Sequence, residues 1–134
     1  VHVKYLSIEE ILRLHFEVIN DFGGSHGVRD DGRLESVLQA PAQSVFGQDQ
    51  YPSIFEKAAV IIRNIIADHP FVDGNKRTAV TCMAIFLMRN GHMLVMLPKE
   101  LEDFAVQVAV EHFDIATIAD LFEANSSRKK DLLH

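Results

Sequence analysis

Residues 53–91 read SIFEKAAVIIRNIIADHPFVDGNKRTAVTCMAIFLMRNG, two apolar helical stretches separated by a short polar junction. Ser53 and Glu56 make a capping box, in which each side chain satisfies a backbone N–H at a helix start. Ala58, Ala59, Ile61, Ile62, Ile65 and Ile66 then cover the helix nearly all round, which predicts a central helix buried on several sides and running to Asp68. His69-Pro70 ends it, because the residue before a proline is pushed to extended geometry. Asp73-Gly74-Asn75 is a turn signal. A second helix follows from Lys76 to Arg89, with Ala79, Val80, Met83, Phe86 and Leu87 inward and Asn90-Gly91 as its stop.

The flanks extend this helical plan. Upstream, Ser7-Ile8-Glu9-Glu10 is another capping box, and Ile8, Ile11, Leu12, Ile19 and Phe22 recur at helical spacing until Gly23-Gly24. The segment from Asp30 to Ala40, with Leu34, Val37 and Leu38 on one face, predicts a short helix halted by Pro41. Between Pro41 and Pro52 there is little charge and no helical period, so this stretch is expected to be a loop or hairpin-like flap carrying Phe46 and Tyr51. Downstream, His92–Leu97 is at most one short strand. Pro98 opens a fifth helix through Leu101, Phe104, Ala105, Val108 and Ala109, and Asp114 caps a sixth with Ile115, Ile118, Leu121 and Phe122. No strand-rich half and no repeat is present, so the expected fold is all-α, a single-domain bundle of about six helices over residues 1–125, with a polar C-terminal tail at 126–134.

The 134 residues, 48% hydrophobic, suit one core. A net charge of −6 provides no basic footprint for a nucleic-acid backbone. One cysteine, Cys82, precludes an internal disulfide and points to a reducing, cytoplasmic setting. No Cys/His grouping has the spacing of a structural zinc site. The opening VHVKYLSIEE lacks a basic stretch followed by an apolar run, so the expectation is a soluble chain without a secretory signal, and no apolar run is long enough to span a bilayer.

The junction His69–Arg77 concentrates the chemistry. The first amides of a helix have no internal partner and sit at the positive end of its dipole, so the N–H groups around Gly74, Asn75 and Lys76 form a candidate anion site. Glycine permits close approach of the anion. Arg77 adds a forked donor suited to phosphate oxygens and Lys76 a point charge. Two cations in a first turn oppose the helix dipole, and a bound anion accounts for them. Asp73 supplies a hard oxygen of the kind that holds magnesium beside substrate phosphates. His69, an imidazole on the loop before the turn, suits removal of a proton from an incoming hydroxyl. A base, a metal carboxylate and an anion cradle are the recurring needs of phosphate transfer. Phe71 is read as a core plug that fixes the loop.

The string His69-Pro70-Phe71-Val72-Asp73-Gly74-Asn75-Lys76-Arg77 resembles the signature of the Fic/Doc family, in the form carried by death-on-curing (Doc) toxins. With five of these positions each at about one in twenty by usage, a chance match per start position is on the order of one in a million. The resemblance extends to Gly27-Val28-Arg29-Asp30 with Leu34-Glu35-Ser36, and to Tyr51-Pro52 with Phe55-Glu56-Lys57-Ala58. It implies a toxin that transfers part of ATP to a protein hydroxyl, with His69 as general base, Asp73 as the Mg2+ ligand, and Gly74, Asn75, Lys76 and Arg77 as the phosphate cradle. Adenylylating members have glycine at the position of Lys76 and a further arginine at that of Val80. Doc-type proteins with the lysine resemble kinases that bind ATP reversed and pass on its γ-phosphate. The implied target is a threonine of elongation factor Tu, with translation arrest as the consequence.

No glutamate here is followed by Gly or Asn, as the self-inhibitory segment of some Fic proteins requires, so the resemblance implies control by a separate Phd-like antitoxin peptide. Its folding into a groove of the toxin is coupled folding and binding. Two other readings stand beside the kinase: nucleotidyl (AMP) transfer through the same His69, and a helical module that binds phosphate without catalysis. Elsewhere, His2, His15, His26, His92, His112 and His134 show no zinc-hydrolase pattern and are read as structural. Cys82 is read as a buried thiol, Gly23-Gly24 with Gly27 as a weak glycine cluster, and Ser126–Lys130 as a solvated end.

Overall fold

The computed structural model describes residues 2–128, over which the chain forms six helices and two small antiparallel strand pairs. Helix α1 (Ile8–Phe22) starts on the capping box of Ser7 and Glu10. Helix α2 (Asp31–Gln39) is capped by Asp30, whose carboxylate accepts the Arg33 N–H at 3.0 Å, and a 3-10 turn at Ala40–Ala42 carries Pro41. The stretch beyond it, which carries little charge, is a hairpin: β1 (Ser44–Val45) pairs with β2 (Gln48–Asp49). Phe46 and Gly47 turn it with φ of 51° and 79°, the two positive values a tight hairpin turn demands, and Phe46 stands fully exposed at the tip. Helices α3 (Ile54–Asp68) and α4 (Asn75–Arg89) follow, then β3 (His92–Leu94), α5 (Pro98–Glu111), α6 (Ile115–Ala124) and β4 (Ser126–Arg128).

The core is built around α3, which packs against α2, α4, α5 and α6. Ala58, Ala59, Val60, Ile62 and Ile65 lose all contact with water, as the apolar residues around this helix require. Phe71, Phe86 and Phe122 are equally enclosed, and each large apolar side chain so buried stabilises the fold by about 1.5–3 kcal/mol. Lys57 is enclosed too. Its ammonium donates to the Pro41 carbonyl at 2.8 Å and lies 3.5 Å from Asp49 Oδ2, tying the hairpin base to α3.

Three expectations shift. Leu12 and Phe22 are 38% and 61% exposed, because the buried stripe of α1 runs through Ile11, Leu14, His15, Val18 and Ile19, and Phe22 ends the helix overlooking a cleft. Val80 is only half-buried, facing a groove beside α5. The polar stretch expected from Ser126 begins as β4, antiparallel to β3 with His92 opposite Arg128 and Leu94 opposite Ser126. Residues 129–134 of the expected tail lie outside the described residues. Among the described residues no helix is long and apolar enough to cross a membrane.

Candidate active site

The last carbonyls of α3 have no partner within the helix and invite cations. Arg29 donates from Nε to the His69 carbonyl and from its terminal nitrogen to the Asp68 carbonyl, both at 2.7 Å, and Arg33 adds a bond to Asp68 at 3.0 Å. The Arg29 and Asp30 N–H groups converge on the Pro70 carbonyl, and Val72 N–H donates to Gly27 at 3.0 Å. Thus the segment between α1 and α2 brackets the whole 69–72 turn. His69 sits inside this bracket with φ of 48°, left-handed and not extended as expected before a proline, a conformation that non-glycine residues adopt only when their surroundings impose it. Its ring is exposed in the cleft, with Nδ1 3.4 Å from the Ala67 carbonyl. A carbonyl only accepts, so this contact favours hydrogen on Nδ1 and leaves the Nε2 lone pair free for a proton.

Phe71 anchors the junction. Its backbone N–H donates to Asn75 Oδ1 and its carbonyl accepts from Asn75 Nδ2, each at 3.0 Å and buried. The Asn75 amide thus ties the loop to the first turn of α4, and its backbone N–H faces the open start of the helix. On the other side of Phe71 lies His15 of α1, 4% exposed and stacked at 3.8 Å with an angle of 5° between the rings. Burial pulls the His15 pKa below its ordinary value, opposed in part by a 2.8 Å hydrogen bond from Nε2 to the Asp73 carbonyl. Burial thus disfavours the charged form of the His15 ring beside the site.

Gly74 caps α4 with φ of 74°, and a Cβ there would meet Ile19 Cδ1 at 2.8 Å. The first helical hydrogen bond runs from Thr78 N–H to the Gly74 carbonyl, so the N–H groups of Asn75, Lys76 and Arg77 have no carbonyl one turn back. No acidic side chain stands in this first turn. Asp73 lies alongside with Oδ1 accepting the Gly74 N–H at 2.9 Å and Oδ2 accepting the Ser25 N–H at 3.2 Å. Each carboxylate oxygen keeps further acceptor capacity toward the cleft. Among the described residues no group of three or more His, Cys, Asp or Glu side chains gathers as a metal site. One carboxylate beside an anion cradle fits Mg2+ shared with substrate phosphates and does not fit a metal caged by protein alone.

His69, Asp73, Gly74, Asn75, Lys76 and Arg77 all line one cleft of about 360 Å³, floored by Val18 and walled by Phe22 and Gly23. Lys76 is exposed there and makes no ion pair among the described residues. Arg77 is held differently: its guanidinium lies 3.9 Å above the Phe22 ring and one nitrogen is 3.1 Å from Glu102 of α5. Phe22, Lys76 and Arg77 also border a second, apolar groove of about 410 Å³ between α4 and α5, with Val80, Leu101, Ala105 and Val106 in its walls. The cleft and the groove therefore meet at Arg77.

Several residues at this site escaped the sequence reading. Gly24 approaches so closely that a Cβ would sit 2.8 Å from Asp73 Oδ2, and Ser25 donates to the same oxygen. The glycine cluster read as weak is thus a wall of the site. Arg29 belongs to a stretch noted only for its resemblance, and nothing local to His15 or Glu102 announces their partners, which lie 58 residues and 25 residues away in the chain.

The family model described as Fic/DOC family matches residues 5–87. Toxin Doc of Mycolicibacterium smegmatis is 38% identical over 129 residues, covering 96% of this chain and 85% of that protein. Protein kinase doc of Escherichia phage P1 is 32% identical over 118 residues, covering 88% and 92%. Protein adenylyltransferase Fic of Drosophila mojavensis is 28% identical over 116 residues, covering 75% of this chain but 23% of that much longer protein.

Proposed function

The chain belongs to the Fic/DOC family, and on that premise we propose that it is a toxin-type protein kinase, transferring the γ-phosphate of ATP to a threonine hydroxyl of a translation factor. Elongation factor Tu is the target we propose, with arrest of translation as the result and the cytoplasm as the place of action. The observation that carries this reading is the meeting, in one cleft, of a basic imidazole, an exposed lysine and the open amides of α4 beside a single carboxylate.

In the mechanism, Nε2 of His69 takes the proton of the threonine hydroxyl as its oxygen attacks the γ-phosphorus, and ADP leaves with the bridging electron pair. The N–H groups of Asn75, Lys76 and Arg77 and the two cationic side chains hold the phosphate oxygens where charge gathers. Asp73 would hold Mg2+, which when bound supplies charge neutralisation at the phosphates. Lys76 is the reason for preferring γ-transfer: it fills the cradle where adenylylating relatives have glycine, and Val80 turns an apolar side chain to the groove where they have arginine. The unit carrying the activity is residues 1–125.

A Phd-like antitoxin peptide is the proposed inhibitor, and the groove between α4 and α5 is where an amphipathic segment fits. It is apolar along Val80, Leu101, Ala105 and Val106, and it shares Phe22 and Arg77 with the cleft, so an occupant there reaches the cradle's guanidinium. A second reading is AMP transfer through the same His69, favoured by the match to proteins named adenylyltransferases.

The deciding experiment offers purified elongation factor Tu and whole bacterial lysate ATP labelled at the γ or the α position. The kinase reading expects label from γ alone, lost in His69→Ala and weakened in Lys76→Gly. Label from the α position establishes AMP transfer instead. Growth arrest that survives a folded His69→Ala variant leaves only a phosphate-binding module without catalysis.

A further inference from the structure

His15 is a buried polar ring that the proposed mechanism does not use. At 4% exposure an imidazole gives up its hydration, a cost that an apolar residue of the same size would avoid. One bond offsets that cost: Nε2 lies 2.8 Å from the Asp73 carbonyl oxygen. A carbonyl cannot donate, so the hydrogen is on Nε2 and the ring is the donor. The ring is itself immobilised by the 3.8 Å stack on Phe71, and Phe71 is held by the two Asn75 bonds.

The carbonyl that His15 grips belongs to the Asp73–Gly74 peptide. Because a peptide is planar, holding its oxygen also orients the Gly74 N–H, which donates to Asp73 Oδ1 at 2.9 Å. The same peptide leads into the left-handed Gly74 that starts α4. One imidazole hydrogen bond therefore sets both the exposed carboxylate and the first turn of the cradle.

We propose that His15 is a positioning residue for Asp73, aiming its carboxylate into the cleft by donating Nε2–H to the Asp73 carbonyl. The inference rests on the reading of Asp73 as the Mg2+ ligand. Groups that orient a metal ligand through one hydrogen bond typically change metal affinity by about 10–100-fold when removed.

The test compares His15→Phe, which keeps the stack on Phe71 and loses the donor, with His15→Gln, whose amide restores a donor at a similar reach. Calorimetry of ATP binding at varied Mg2+ provides a readout independent of turnover. His15→Phe is expected to raise the Mg2+ needed for half-maximal binding by roughly 10-fold or more, and His15→Gln to bring it back within about 3-fold of the parent. An unchanged Mg2+ requirement in folded His15→Phe overturns the proposal, as does His15→Gln behaving no better than His15→Phe. Nitrogen NMR of the parent guards against a variant that fails to fold: hydrogen on Nε2 is expected, and hydrogen on Nδ1 alone refutes the donor. Asp73→Asn, run in parallel, separates the two levels, since an unaltered Mg2+ requirement there refutes Asp73 as ligand rather than His15 as its support.

Discussion

Asn75 shows how one residue can line a candidate site while its side chain serves the fold. The sequence reading placed it in the phosphate cradle, and the fold spends both ends of its amide on the Phe71 backbone. An asparagine amide is long enough to return one turn and short enough to be rigid, so it fixes the distance between the Phe71 plug and the first turn of α4. Asn75→Ala strands a buried N–H and a buried carbonyl, each costing about 1–3 kcal/mol when unsatisfied. Thermal unfolding is expected to fall by roughly 10 °C, a shift in keeping with a loss of about 2–4 kcal/mol in a domain of this size. A Tm within a degree or two of the parent would show that water or another group replaces the amide. His69 depends on the same kind of local constraint: its left-handed φ of 48° is imposed from outside by the bonds of Arg29 and the Pro70 turn.

Between elements, the most informative tie joins the start of α1 to the end of α4. Glu10 closes the capping box through the Ser7 N–H at 3.0 Å and also meets the Arg89 guanidinium. The Arg89 hydrogen bond, and after it the Ser7 backbone bond, hold the Glu10 carboxyl down at about 2 instead of 4.5. A carboxyl lowered by folding stabilises the native state above its unfolded value and loses that contribution as pH falls from about 4.5 toward 2. Both side chains keep some contact with water, 31% for Arg89 and 23% for Glu10, so the pair contributes on the order of 1 kcal/mol. Glu10→Gln retains the box but not the charge. Urea unfolding at pH 7 is expected to show it less stable by about that amount, with the gap to the parent narrowing as the pH drops below 4.5; a gap constant with pH would assign the loss to packing. Such ties also explain which element boundaries were readable. Ser7, Ser53 and Asp114 are local signals and each caps its helix, whereas β4 consists of Ser126–Arg128, polar and without alternation, and exists only because His92–Leu94 lies beside it.

Across the whole molecule, the polar cleft and the apolar groove meet at Arg77, so the proposed catalytic cleft and the proposed inhibitor groove share one wall. Val106 is half-exposed on the far side of that groove and contributes nothing to the cleft. Val106→Asp is expected to weaken binding of the antitoxin peptide by at least about 10-fold while leaving phosphotransfer within about 2-fold of the parent, because burying a carboxylate against an apolar face is costly. Titration of a labelled antitoxin peptide, beside the radiolabel assay, checks both; undiminished peptide affinity would place the inhibitor elsewhere. Sequence alone determined the all-α class, the six helices and the His69–Arg77 junction, because helix periodicity, capping boxes and the residue before proline are local effects with local causes. The cleft residues His69, Asp73, Gly74, Asn75, Lys76 and Arg77 were legible for the same reason, because they fall within nine consecutive positions, whereas Val18, Phe22 and Gly23 reach the cleft from α1 and its C-cap and were not. Only the tertiary structure decided that Arg29 and Arg33 hold the end of α3, that Gly24 and Ser25 close on Asp73, that His15 grips its carbonyl, and that Glu102 and Phe22 clasp Arg77. Those pairings span tens of residues, and a contact of that range has no period in the chain. It arises when burial of the α3 faces brings α4 and α5 together and α1 packs onto α4.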